Sequence, residues 1–140
     1  MSDEHYRIER DAMTVVHRFF RHLDDGDYDR LAALMAADGV WHRQGKMLRG
    51  PAMVLEAMKA RPAGVTTRHL VSNMLVDVID PDHAEASCYI TVYAYTGDKK
   101  PDDPAPLELP LQIGTYRIKL TRTPQGGRIN EIAAKMAFRR

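Results

Sequence analysis

Thr66-Thr67-Arg68-His69-Leu70-Val71-Ser72-Asn73-Met74-Leu75-Val76-Asp77-Val78 is rich in β-branched and apolar residues, with one histidine and one asparagine set into it. That composition predicts a strand. Side chains of an extended chain alternate, so His69, Val71, Asn73 and Leu75 are expected on one face and Leu70, Ser72, Met74 and Val76 on the other. Both faces are largely apolar, which predicts a strand inside a sheet, covered by helices on one side and by another layer or subunit on the other. His69 is then enclosed. An enclosed imidazole beside a carboxylate can move a proton near neutral pH; it can equally be a core group hydrogen-bonded to backbone.

On the N-terminal side, Ile8, Ala12, Val15, Phe19 and Leu23 recur at helical spacing, and Val16 and Phe20 widen the stripe. A long amphipathic helix over about 3–23 is expected, stopped at Gly26. Asp24 and Asp25 sit just before that stop, at the carbonyl end of the helix, where negative charge is unfavourable. An aspartate held there at a pocket mouth would have its acid form favoured by the helix dipole, whereas the plainer alternative is a solvated turn in which Asp27 caps the next helix.

Tyr28 to Ala36 reads as a short second helix, Asp38-Gly39 as a turn, and 40–44 as a short strand in which Trp41 and His42 face opposite ways. Pro51 opens a third helix with Val54, Leu55 and Met58 inward, ended by Arg61-Pro62-Ala63-Gly64. After the His69 strand, Ala84 to Tyr95 alternates: Ala84, Ala86, Cys88, Ile90, Val92 and Ala94 against Glu85, Ser87, Tyr89, Thr91, Tyr93 and Tyr95. Tyr89 and Tyr93 are expected opposite His69, able to donate to a ligand oxygen, although a tyrosine row also covers half-exposed sheet. A Pro-rich loop over 97–110, a strand over 111–121, a hairpin at Pro124-Gln125-Gly126-Gly127 and a last strand over 128–138 complete the chain. Three helices and a mainly antiparallel set of strands define one α+β domain over residues 1–140.

Charge and motifs exclude several classes. With 20 Lys and Arg against 19 Asp and Glu there is no general basic surface for nucleic acid. One cysteine, Cys88, rules out an intrachain disulfide. No apolar run approaches the roughly 20 residues that span a bilayer, and the polar start does not read as a signal peptide, so a cytoplasmic protein without membrane association is expected. Phosphate-loop, CxxC, HExxH and G-x-S-x-G motifs are missing, and His17 and His22 are wrongly spaced to pair on one helix face. Neither metal nor cofactor is expected.

Leu23-Asp24-Asp25-Gly26-Asp27-Tyr28-Asp29-Arg30-Leu31, Val40-Trp41-His42-Arg43, Leu48-Arg49-Gly50-Pro51 and Thr67-Arg68-His69-Leu70-Val71-Ser72-Asn73 together resemble the NTF2-like superfamily in its SnoaL-like branch, near scytalone dehydratase, bile-acid dehydratases and ketosteroid isomerase. The resemblance covers nearly the whole chain. It implies a cystatin-like cone: three N-terminal helices on a strongly curved, mixed, mainly antiparallel sheet. It also implies that Asp24 and His69 form a hydrogen-bonded pair working on one substrate proton. Scytalone dehydratase has a second histidine on the following strand, where the nearest residue here is Tyr93, and the tyrosine before its aspartate is Leu23 here. The implied function is a cofactor-independent lyase or isomerase, of dehydratase or cyclase type, acting on a small cyclic or polyketide-like hydrophobic molecule. In that site Asp24, His69 and Tyr93 are catalytic, and Phe20, Trp41, His42, Asn73 and Tyr89 contact substrate. The same fold also serves as a non-catalytic binding module and as the structural β-subunit of ring-hydroxylating dioxygenases. A homodimer is expected, covering Leu70, Met74 and Val76 on the outer face of the sheet.

Overall fold

The apolar stripe of the first helix is buried along its whole length: Ile8, Ala12, Val15, Val16, Phe19, Phe20 and Leu23 all enter the core of the computed structural model, which describes residues 2–140. Helix α1 runs Asp3–Asp25, opened by the Ser2 side chain accepting from the His5 N–H at 3.2 Å. Gly26 ends it at φ 71°, a left-handed turn that lets the Gly26 and Asp27 N–H groups close on the carbonyls of Leu23 and His22. Each large side chain buried on this face contributes about 1.5–3 kcal/mol, so the stripe is the main anchor of α1 on the sheet.

Two shorter helices follow, α2 (Tyr28–Ala33) and α3 (Gly50–Lys59), the latter with Pro51 in its first turn and Val54 and Met58 inward. Asp27 stands at the cap of α2, but its side chain makes no capping bond and instead pairs with Arg30 at 3.4 Å. The strands are β1 (Met35–Arg43), β2 (Lys46–Arg49), β3 (Val65–Asp80), β4 (His83–Thr96), β5 (Gln112–Thr123) and β6 (Gly126–Arg139). They form one open sheet in the order β2-β1-β6-β5-β4-β3. Only β1 and β6 run parallel, so the sheet is mixed and mainly antiparallel. Three helices on this sheet make the α+β architecture expected from the sequence.

Several local expectations are corrected. The second helix stops at Ala33, and residues 35–43 pass into one strand whose register with β6 shifts between Met35 and Val40. Asp38-Gly39 is therefore part of an irregular strand rather than a free turn. A further strand, β2, folds back on β1 through Gln44-Gly45, both at positive φ.

The largest correction concerns β3. It is the edge of the sheet, not an interior strand, and its alternation is broken by a bulge at Asn73, which adopts φ 50°. Val71 faces the core before the bulge, and Met74, Val76 and Val78 face it after. Leu75 is thereby turned outward and is 73% exposed. One extra residue in an antiparallel ladder resets the two-residue period, which strict alternation does not anticipate.

The bulge makes a testable claim on backbone strain. A β-branched residue in the left-handed region costs roughly 1–2 kcal/mol, and glycine avoids that cost. Asn73→Val is expected to lose about that much in urea unfolding, while Asn73→Gly stays within about 0.5 kcal/mol of wild type.

Candidate active site

Helix α1 delivers Asp24 to the free edge of β3. The strand needs partners there for N–H groups that no further strand takes. Asp24 supplies one: its Oδ2 accepts the His69 backbone N–H at 2.8 Å. Its Oδ1 accepts the Thr67 hydroxyl at 3.0 Å and lies 2.6 Å from Nδ1 of the His69 ring. Thr67 and His69 can both reach it because they are two residues apart and share the inward face of the strand.

The electrostatics follow from this shell. Burial, which leaves the Asp24 side chain 5% exposed, works to raise its pKa. The hydrogen bonds from the His69 ring and backbone, the attraction of the ring's charge and the Thr67 hydroxyl together outweigh burial and hold it below the usual carboxylate value. The helix dipole was expected to favour the acid form; three donors at close range override it. Asp24 is thus a carboxylate that cannot donate, and the ring nitrogen facing it must carry the hydrogen. That leaves Nε2 of His69 bare when the ring is neutral, and Nε2 has no hydrogen-bond partner among the described residues. No buried side-chain nitrogen or oxygen lacks a partner among them, so Nε2 is not sealed in. The pair is arranged as a base with its orienting carboxylate behind it.

Around the pair the wall is aromatic. Phe20 lies over the His69 ring with centroids 5.5 Å apart and meets Tyr116 of β5 edge-on at 5.7 Å. Burial pushes the Tyr116 phenol above its ordinary value, against the opposing pull of Gln112, so it remains a donor at neutral pH. Trp41 is one layer further back, buried against Phe19 at 5.1 Å. The Arg43 guanidinium lies over the Trp41 ring at 5.5 Å.

Of the side chains picked from sequence, Asp24, His69 and Phe20 come together, with Trp41 behind them. The others do not. His69 is directly opposite Val92, so the odd-numbered tyrosines of β4 face the other side: Tyr93 pairs with Arg68 and Tyr89 with Ser72. Asn73 is exposed at the bulge. His42 turns outward opposite to Trp41 and bonds Glu131 at 3.1 Å on the surface. Thr67 and Tyr116 were missed. Thr67 could have been found as the residue two before His69, and Tyr116 as the one aromatic in the Gly114, Tyr116, Ile118, Leu120 alternation. Cys88 is buried on the core face, and burial pushes its thiol up to about 11, which leaves it inert at neutral pH. Among the described residues no group of three or more His, Cys, Asp or Glu is placed to hold a metal ion, and no helix is long and apolar enough to cross a membrane.

A cavity of roughly 300 Å³ lies between the 97–110 loop and the end of the β3–β4 pair, with Thr67 among its lining residues. Arg68, Tyr93, Tyr95 and Leu107 are among its walls. It carries no paired acid and base.

A family model described as a SnoaL-like domain matches residues 5–133. The structure is similar to a candidate scytalone dehydratase of Novosphingobium aromaticivorans, at TM-score 0.77 and 15% identity over 99% of this chain and 89% of that one. It is similar to ActVI-ORFA of Streptomyces coelicolor, at TM-score 0.75 and 15% identity over 93% of this chain and 97% of that one. An NTF2-like protein with a cystatin-like fold, also from Novosphingobium aromaticivorans, gives TM-score 0.72 and 19% identity over 95% of this chain and 86% of that one. At these identities the likenesses show the fold. No curated protein matches the chain.

The Asp24 shell predicts a pH dependence of stability. A carboxylate whose folded pKa is depressed stabilises the fold above its unfolded value, near 4, and loses that contribution as pH falls through the folded value. Asp24→Asn is expected to cost roughly 2–3 kcal/mol at pH 7, the scale of hydrogen bonds to a charged group. The gap between wild type and variant, followed by thermal unfolding, narrows as pH falls from about 5 to about 2.

Proposed function

The chain belongs to the SnoaL-like domain family, and on that footing we propose that it is a cofactor-independent lyase or isomerase of dehydratase or cyclase type. Its substrate is a small cyclic or polyketide-like hydrophobic molecule with a carbonyl group. The single observation that carries this assignment is the 2.6 Å contact between Asp24 Oδ1 and His69 Nδ1, with Nε2 left unpartnered.

In this mechanism Nε2 removes a proton from the carbon next to the substrate carbonyl, and the electron pair of that C–H bond moves into an enolate. Asp24 holds Nδ1–H and offsets the charge of the imidazolium. The Tyr116 phenol takes the place in the mechanism expected for Tyr93 and donates to the enolate oxygen. From there the imidazolium returns its proton either to the γ-carbon, where a β,γ double bond of the substrate has made the enolate a dienolate, completing an isomerisation, or to a β-hydroxyl that leaves as water while the enolate collapses to a conjugated double bond. Phe20 excludes water from the ring, which strengthens both the ion pair and the donor.

The first test is solvent deuterium exchange at the α-carbon of a panel of cyclic ketones and β-hydroxy-ketones, read by NMR. Wild type is expected to catalyse exchange with at least one member, and His69→Gln and Asp24→Asn to lose about 10²-fold or more. Tyr116→Phe is expected to lose about tenfold or more, and Tyr93→Phe to behave as wild type. Exchange that survives His69→Gln would overturn His69 as the base, and binding of a ketone without exchange would favour the non-catalytic binding module.

A homodimer through the outer face of the sheet is part of the same proposal. Leu70, Thr91, Ile113 and Phe138 line up across β3, β4, β5 and β6 on the side away from the helices, with Leu70 49% and Phe138 68% exposed. Leu75 replaces Met74 and Val76 in the patch. Sedimentation is expected to show a dimer that Leu70→Lys with Phe138→Lys converts to monomer.

A further inference from the structure

One oxygen of Asp24 serves two donors from the same strand. Oδ1 lies 2.6 Å from Nδ1 of the His69 ring and also accepts the Thr67 hydroxyl at 3.0 Å, while Oδ2 takes the His69 backbone N–H at 2.8 Å. Thr67 is fixed at both ends. Its side chain is buried, and its carbonyl accepts from the Arg68 guanidinium at 2.7 Å. It stands opposite Ala94 of β4 on the inward face of the sheet. Valine has the same branched shape and would pack there without needing an acceptor. The hydroxyl is therefore a feature of the Asp24 carboxylate rather than of the packing.

At 2.6 Å, short for a nitrogen–oxygen hydrogen bond, the hydrogen between Nδ1 and Oδ1 is drawn to the more basic of the two atoms. A second donor on the same oxygen takes up part of its charge and weakens that pull. Resting on the function proposed above, we propose that Thr67 is a positioning residue acting through Asp24: its hydroxyl keeps the shared hydrogen on Nδ1 and restrains the basicity of Nε2. Without it Oδ1 would hold the imidazolium more strongly, and less of the ring would be in the neutral form that accepts a substrate proton. The other neighbours of the pair are left as they are by a change at this hydroxyl. β4 presents the apolar Val92 opposite His69, and β5 presents Tyr116, which reaches the ring through Phe20. Arg61 donates to the Leu23 carbonyl at 3.3 Å, one residue before Asp24, and Arg68 holds the Thr67 backbone rather than its side chain.

The test is an NMR pH titration of the His69 ring in the wild type and in variants at Thr67. Thr67→Val is expected to raise the His69 midpoint by about half a pH unit or more, about threefold in proton affinity. Thr67→Ser, which keeps the hydroxyl, is expected to stay within about 0.2 of wild type. In the Asp24→Asn background Thr67→Val is expected to leave the midpoint where Asp24→Asn puts it, because the hydroxyl then has no carboxylate to act through. Thr67→Ala removes the same hydroxyl and takes the place of the valine variant if that one does not fold. The inference is overturned if the variants without the hydroxyl titrate at or below wild type, if Thr67→Ser titrates as they do, or if their effect is the same without the Asp24 carboxylate. Neutral Nε2 is the base, so deuterium exchange rises with pH through the His69 midpoint, and in Thr67→Val that rise is expected at higher pH. The titration itself needs no turnover. A raised midpoint in Thr67→Val with no exchange by wild type would overturn the proposed reaction alone, and exchange by wild type with an unmoved midpoint in Thr67→Val would overturn the role of Thr67 alone.

Discussion

A carboxylate taken out of water needs donors, and the end of a helix offers it none. At Asp24 they come from the neighbouring strand: the Thr67 hydroxyl, the His69 backbone N–H and the His69 ring. One of these contacts also serves the free edge of β3, whose outward N–H at His69 would otherwise lack a protein partner. One side chain therefore joins the longest helix to the edge of the sheet and fixes the orientation of the imidazole. In the proposed mechanism stability and proton transfer share this one group, and the depressed pKa of Asp24 reflects a shell that outweighs the burial.

Location, more than residue type, distinguishes this pair. His42 with Glu131 and His83 with Asp80 bring the same groups to 3.1 and 2.8 Å, but on side chains that are 38–52% exposed. Water and salt screen such pairs, which then contribute little. The Asp24 and His69 side chains are 5% and 10% exposed. A charge that appears on His69 during a reaction meets Asp24 at 2.6 Å with little water between, where the attraction is strongest.

The wall around the pair is continuous with the apolar core. Trp41, Phe19, Phe20 and Tyr116 touch edge to face in a chain that runs from β1 through α1 to β5. Most of it is ordinary core packing, worth its buried area and a modest geometric term. Two polar features break the pattern: the Tyr116 hydroxyl, and the Arg43 guanidinium over Trp41.

Much of this was legible in the chain. The stripe from Ile8 to Leu23 specified α1, Gly26 its end, and the misplaced Asp24 and the histidine in an apolar strand stood out as the two anomalous polar groups. Motifs around them sufficed for the fold class and the family, since local periodicity and turn chemistry act within a few residues. What the tertiary structure alone decided is which face of each strand meets the helices. Alternation relates neighbours along one strand but not one strand to the next, so the tyrosines of β4 were paired with His69 when register sets Val92 opposite it. The bulge at Asn73 resets the period partway along β3, exchanging Leu75 for Met74 and Val76. Tyr116 meets Phe20, and Thr67 meets Asp24, from distant segments, a proximity that no local pattern encodes because it is set by strand order and helix packing together.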